Sequence, residues 1–311
     1  MATTHESTTD NMLIQVIESA IKLPGIKVNR ETFLVSIFKD VDPDFRDAIL
    51  RLGPVEAGVE RDVLKKKALA LVNDRTLKST AMSFAAGLPG GVAMAATIPA
   101  DTVQYFAVAL RMAQEIAYLY GEEDLWSEGT LSSDKVMNTL IVYCGVMFGA
   151  GGASATLRVV ASALGKQALK KIPQMALTKT FYYPIVKSIA RFVGVRMTKS
   201  IFAKGVSKAV PIAGGIVSGG ITFATMKPMG VKLIKALDYA KFAYTDVDLK
   251  KDMEEINTTI KKQEADIKEL EQEDEKSSII EEIKEYKELL DSGVITEEEF
   301  SEIKSRLIAK L

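Results

Sequence analysis

"GLPGGVAMAATIPADTVQYF" runs from Gly87 to Phe106 and is too apolar for a surface loop, yet three glycines and two prolines interrupt it. Proline removes a backbone donor and glycine weakens a helix, so no single helix fits the whole stretch. Pro99 ends a first apolar segment, and Asp101 then caps a new helix, with Gln104 three residues later in a pattern close to a capping box. Val103, Phe106, Leu110, Ala113, Ala117 and Tyr120 continue on one helical stripe, and Gly121 supplies the stop. Helix, break, helix is the result, and it sets the fold class as all-α.

Working outward, three stretches carry no charge: Ser79–Ala100, Val136–Leu157 and Ala209–Met226. Each has about the length of a bilayer-spanning helix, but the first and third are poor in large apolar side chains and broken by proline and glycine. Each also holds a GxxxG, at Gly87/Gly91, Gly145/Gly149 and Gly215/Gly219. On a helix that spacing lets a neighbouring backbone approach closely. Close packing in a Gly-rich apolar helical core is favoured over dimerisation within lipid.

Residues 1–10 read as a disordered polar tail and 11–78 as a helical N-terminal region. Met12, Leu13, Val16, Ile17 and Ala20 keep helical spacing before Pro24-Gly25, a second helix spans Arg30 to Phe38, "DVDPDF" breaks it, and a third covers Val63 to Val72. The core occupies 79–245. From 246 to 275, Leu249, Met253, Ile256, Ile260, Gln263, Ile267 and Leu270 form a short heptad seam, a coiled-coil linker. Residues 276–311 form a short helical hairpin: Ile279, Ile280, Ile283, Tyr286 and Leu290 share a face, and Gly293 stops that helix. Thr296 with Glu299 caps the next, on which Phe300, Ile303 and Leu307 face back.

Charge is partitioned along the chain although the net is −1. Arg158–Lys241 holds 15 basic residues against Asp238 alone, a net +14, whereas Asp246–Leu311 carries 21 acids and 11 bases, a net −10. Lys170, Lys171, Lys187, Arg191, Lys199 and Lys204 alternate with Ile, Val and Phe, the pattern expected at an anionic lipid surface. Nucleic acid would call for exposed aromatics or a groove-reading helix among the bases, and that pattern is missing from the sequence.

The sequence offers few residues from which a catalytic constellation could be built. His5 is the sole histidine and lies in the polar tail, so no Ser-His or Cys-His dyad can form in the core. Cys144 sits in an apolar run and reads as a small hydrophobe. Gly149-x-Gly151-x-x-Ser154 lacks the last residue of a dinucleotide fingerprint, and no acid follows until Asp238. Neither a metal site nor a cofactor is expected. Asp101 reads as a helix cap before it reads as a catalytic carboxylate, and Arg111 with Glu115 as a surface pair four residues apart.

"FAAGLPGGVAMAATIPADTVQYF", "LRMAQEIAYLYG" and "VPIAGGIVSGG" together resemble the EcsC-like family of bacterial proteins, over about Ser79 to Lys241. Leu88-Pro89-Gly90-Gly91 and Ile98-Pro99-Ala100-Asp101 carry most of the likeness. "IIEEIKEYKELLDSGVITEEEFSEIKSRLIAKL" is similar to the SHOCT module, a short helical hairpin thought to mediate oligomerisation. These resemblances imply no defined reaction. With the charge pattern they lead to an expected function: a non-enzymatic protein at the cytoplasmic membrane face, peripheral to anionic lipid and homo-oligomeric through its tail. A soluble carrier of a lipid or other apolar ligand is the alternative. A hydrolase using Asp101 comes last, because the histidine is missing.

Overall fold

The computed structural model describes residues 13–82, 100–127, 133–171, 185, 186, 189 and 214–308. Every regular element among them is an α-helix, and no strand occurs among the described residues. The chain divides between Thr259 and Ile260 into a large unit and a C-terminal one.

The large unit begins with α1 (13–22), whose Leu13, Val16, Ile17 and Ala20 are all fully buried, as their spacing predicts. Gly25, at φ +77°, turns the chain. Asn29 then caps α2 (Arg30–Ile37) by accepting from the Thr32 amide at 2.8 Å. "DVDPDF" does not merely break α2. Asp42 accepts from the amides of Asp44 and Phe45 and starts α3 (Pro43–Leu52), with Pro43 in the first turn, where a missing N–H costs nothing. Sequence alone reads this proline as a stop; the Asp42 cap makes it the start of a helix.

α4 (Arg61–Met82) is longer than the segment expected at 63–72 and runs into the first uncharged stretch. α5 (Ala100–Leu119) carries the predicted stripe: Val103, Phe106, Leu110, Ala113, Ala117 and, just past its end, Tyr120 are buried. Gly121 (φ +81°) closes it, with the Glu122 amide donating back to the Ala117 carbonyl.

The second uncharged stretch becomes α6 (Ser133–Phe148), a turn at 149–152, and α7 (Ala153–Ala161). At about 1.5 Å per residue α6 is shorter than a hydrocarbon core. No helix among the described residues is long and apolar enough to cross a membrane. α8 (Ala163–Lys171) follows, and α9 (Gly214–Phe242) crosses the unit.

α9 organises the core. It packs most extensively on α4 and also on α5, α6 and α7. Its apolar side chains Met226, Met229, Leu233, Ile234 and Leu237 are buried at helical spacing. α9 meets α4 tightly at Gly230, where a Cβ would come within 2.6 Å of Val72 Cγ2 and 2.9 Å of its Cγ1. Glycine there leaves room for the Val72 side chain, which a larger residue would push away.

α10 (Asp246–Asp291) is one helix of 46 residues, unbroken through Glu271–Ser278 where the sequence suggested a joint. Thr245 and Asp248 form a capping box at its start, with the Thr245 amide 2.9 Å from Asp248 Oδ2. Its first residues belong to the large unit, so the boundary lies fourteen residues beyond the expected 245/246. Ile256 of the heptad seam is 3% exposed, and Asp252, one turn before it, is 2% exposed.

In the C-terminal unit α10 ends at Gly293 (φ +75°), and the Val294 amide donates to the Leu289 carbonyl. α11 (Glu297–Ile308) then starts on the predicted capping box, the Thr296 amide 2.9 Å from Glu299 Oε2 and the Glu299 amide 3.3 Å from Thr296 Oγ1. Ile279 and Leu307 are buried, whereas Ile280, Leu289, Val294 and Ile308 remain exposed.

Candidate functional site

The described residues place only some of the predicted site. Lys170 and Lys171 lie on the last turn of α8, with side chains outside the described set; Lys187, Arg191, Lys199 and Lys204 lie outside the described residues altogether, as do Gly87 and Gly91. Asp101 is the second residue of α5, so the helix begins one residue before it; its side chain also lies outside. Gln104, one turn on, is half-buried. Gly215 and Gly219 fall in the first turns of α9.

Gly145 and Gly149 do different jobs. A Cβ on Gly145 would overlap Ile185 and come within 2.8 Å of the Ala153 Cβ, so this glycine sits where α6 and α7 meet tightly. Gly149 is past the end of α6 at φ +79°, a conformation that favours glycine, and terminates the helix. The GxxxG spacing is therefore one packing residue and one cap.

Charges buried in the large unit are paired across long sequence separations. Glu115 is fully buried and receives Arg75 in a two-pronged bond, with both N–O distances 2.6 Å, and Arg111 Nε at 3.1 Å. The pair expected from Arg111 and Glu115 forms, but around a fully buried carboxylate and with a third member, Arg75, forty residues away, that no local spacing reveals. Asp238, the sole acid of the basic segment, is bound by Arg61 at 2.6 Å. Lys241 lies 2.6 Å from Glu122.

Asp252 is held by three bonds as well. Arg158 of α7 grips it with both prongs, at 2.8 and 2.6 Å, and the Tyr244 hydroxyl donates to it at 2.8 Å. The hydrogen bond to Asp252 raises the Arg158 pKa, while burial and Asp252 together push the Tyr244 hydroxyl up. Cys144 is fully buried, and loss of solvent pushes its thiol up to about 12, leaving it without nucleophilic character at neutral pH.

Around this pair α7, α9 and the start of α10 bound a cleft of about 580 Å3. Ser154 and Arg158 line it one turn apart on α7. Lys232, Lys235 and Tyr239 follow at helical spacing on α9, and Asp248, Lys251 and Glu255 on α10. The Lys232 ammonium lies beside Gly149, 3.0 Å from where a Cβ would stand. Asp248 accepts from Thr245 and from Tyr239, and these bonds lower its pKa. No group of acids, histidine and cysteine able to hold a metal ion occurs among the described residues. The sequence held each stripe of the cleft, but which helices face one another is decided by tertiary packing.

The family described as the short C-terminal domain, SHOCT, matches residues 281–308. The comparisons bring no support for the EcsC-like resemblance of the core. No curated protein and no solved structure matches the chain.

Proposed function

We propose that the chain is a non-enzymatic protein that associates peripherally with the anionic inner face of the cytoplasmic membrane through its basic core and self-assembles through its C-terminal module. The match of residues 281–308 to SHOCT carries the assembly half, since SHOCT modules are often linked to self-association. Three large apolar side chains of the module, Leu289, Val294 and Ile308, stay exposed, as does Ile280 just before it, and a second copy would cover them. The membrane half rests on charge: a net +14 over Arg158–Lys241 attracts anionic lipid at about 1 kcal/mol per well-placed base.

Sedimentation velocity across a concentration series tests the assembly. The full chain is expected to form oligomers and a chain ending at Thr259 to remain monomeric. Equal oligomer order in both would remove the tail from the assembly and sink that half of the proposal.

A further inference from the structure

We propose that the cleft bounded by α7, α9 and the first turns of α10 binds a phosphate group, borne by a small molecule or a lipid, through the ammonium groups of Lys232, Lys235 and Lys251. Charge on the cleft wall is unevenly matched. Arg158 and Asp252 neutralise each other at 2.6 Å, and Tyr244 fills a further acceptor position on Asp252. Asp248 is engaged by Thr245 and Tyr239, both neutral donors. Lys232, Lys235 and Lys251 line the cleft without an ion pair among the described residues. Against these three ammonium groups the wall sets only Asp248, turned to its own donors, and the exposed carboxylate of Glu255.

A phosphomonoester fits that surplus. It carries close to two negative charges at neutral pH and three acceptor oxygens, so each ammonium can meet an oxygen. Lysine binds phosphate as a point charge and needs no planar, two-pronged geometry. A carboxylate would bring one charge and two oxygens and leave a lysine unanswered. The Ser154 hydroxyl supplies a neutral donor on the same wall, and about 580 Å3 is enough for the phosphate and the group that bears it. Glu255 is the internal opponent, since its carboxylate lines the same cleft and repels a bound anion. The inference goes beyond membrane association, because a soluble phosphate can fill the cleft with no lipid present.

Calorimetric titration of the full chain with glycerol 3-phosphate tests it, alongside flotation with vesicles containing phosphatidic acid or phosphatidylglycerol. The Lys232→Glu/Lys235→Glu variant should bind the monoester at least about tenfold more weakly, given roughly 1 kcal/mol per well-placed base. Glu255→Gln should bind about threefold more tightly, as the opposing charge is gone. Lys65→Glu/Lys66→Glu makes the same change of charge at exposed sites on α4 and should leave monoester binding unchanged. Unchanged fluorescence of Trp126, the single tryptophan, shows that each variant is folded. Binding of glycerol 3-phosphate with this pattern identifies a soluble ligand. The same pattern with phosphatidic acid vesicles alone identifies a lipid headgroup. Two results overturn the cleft, and neither touches membrane association: no monoester binding in either form, or equal loss in both lysine pairs.

Discussion

Glu115 shows what a single residue costs and how that cost is met. A fully buried carboxylate is several kcal/mol unfavourable unless charges and donors surround it, and here two arginines do so. They are not equivalent. Arg75 is 22% exposed and makes two short bonds to Glu115, whereas Arg111 is 39% exposed, makes one longer bond to it and turns its Nη1 to the Gly25 carbonyl. Arg75→Ala should therefore destabilise by about 3 kcal/mol, and Arg111→Ala by about 1 kcal/mol or less. Urea unfolding followed at Trp126, whose Nε1 donates to buried Gln114 at 2.6 Å, reads both values. Equal losses would mean that Arg75 is no more than a surface partner. Tyr120 makes the opposite case. It is fully buried, and its hydroxyl has no hydrogen-bond partner among the described residues. Tyr120→Phe removes a desolvated polar atom and keeps the ring, so stability should stay the same or rise by about 1 kcal/mol. A marked loss in the same unfolding assay would show that the hydroxyl is satisfied in solution.

At the scale of elements, what the sequence disclosed was periodic or local. The α1 stripe, the α5 stripe, the Gly121 and Gly293 stops and the Thr296–Glu299 box depend on residues within a few positions of one another. What escaped was of two kinds. Pro43 has the same chemistry whether it stops a helix or starts one, and the Asp42 cap decides which. Arg75 with Glu115 and Arg158 with Asp252 pair across 40 and 94 residues, and no local pattern joins them. The heptad spacing of the α10 seam names no partner either: Ile256 is buried, and spacing alone does not say against what. A chain cut after Thr245 would lose Ile256 and strip Arg158 of Asp252. It should be less stable by several kcal/mol than one cut after Thr259, which keeps both. Thermal unfolding of the two truncations decides this. Equal melting temperatures would place the start of α10 outside the core.

For the whole molecule the governing feature is the separation of charge, +14 over Arg158–Lys241 followed by −10 over Asp246–Leu311. An acidic tail tethered to a basic core acts at high effective concentration, and the Arg158–Asp252 pair is one place where the two segments meet. That pair is two-pronged and lies within the large unit, so it serves as a fixed joint. Attraction between the basic segment and a bilayer should also fade as salt shortens the Debye length from about 10 Å towards 3 Å. The most direct measurement is flotation of the full chain with vesicles, anionic in one series and neutral in the other, across rising salt. Binding confined to anionic vesicles and lost as salt rises is the result predicted here. Equal binding to neutral vesicles, or binding that persists at high salt, would contradict the electrostatic attachment on which the proposed function rests.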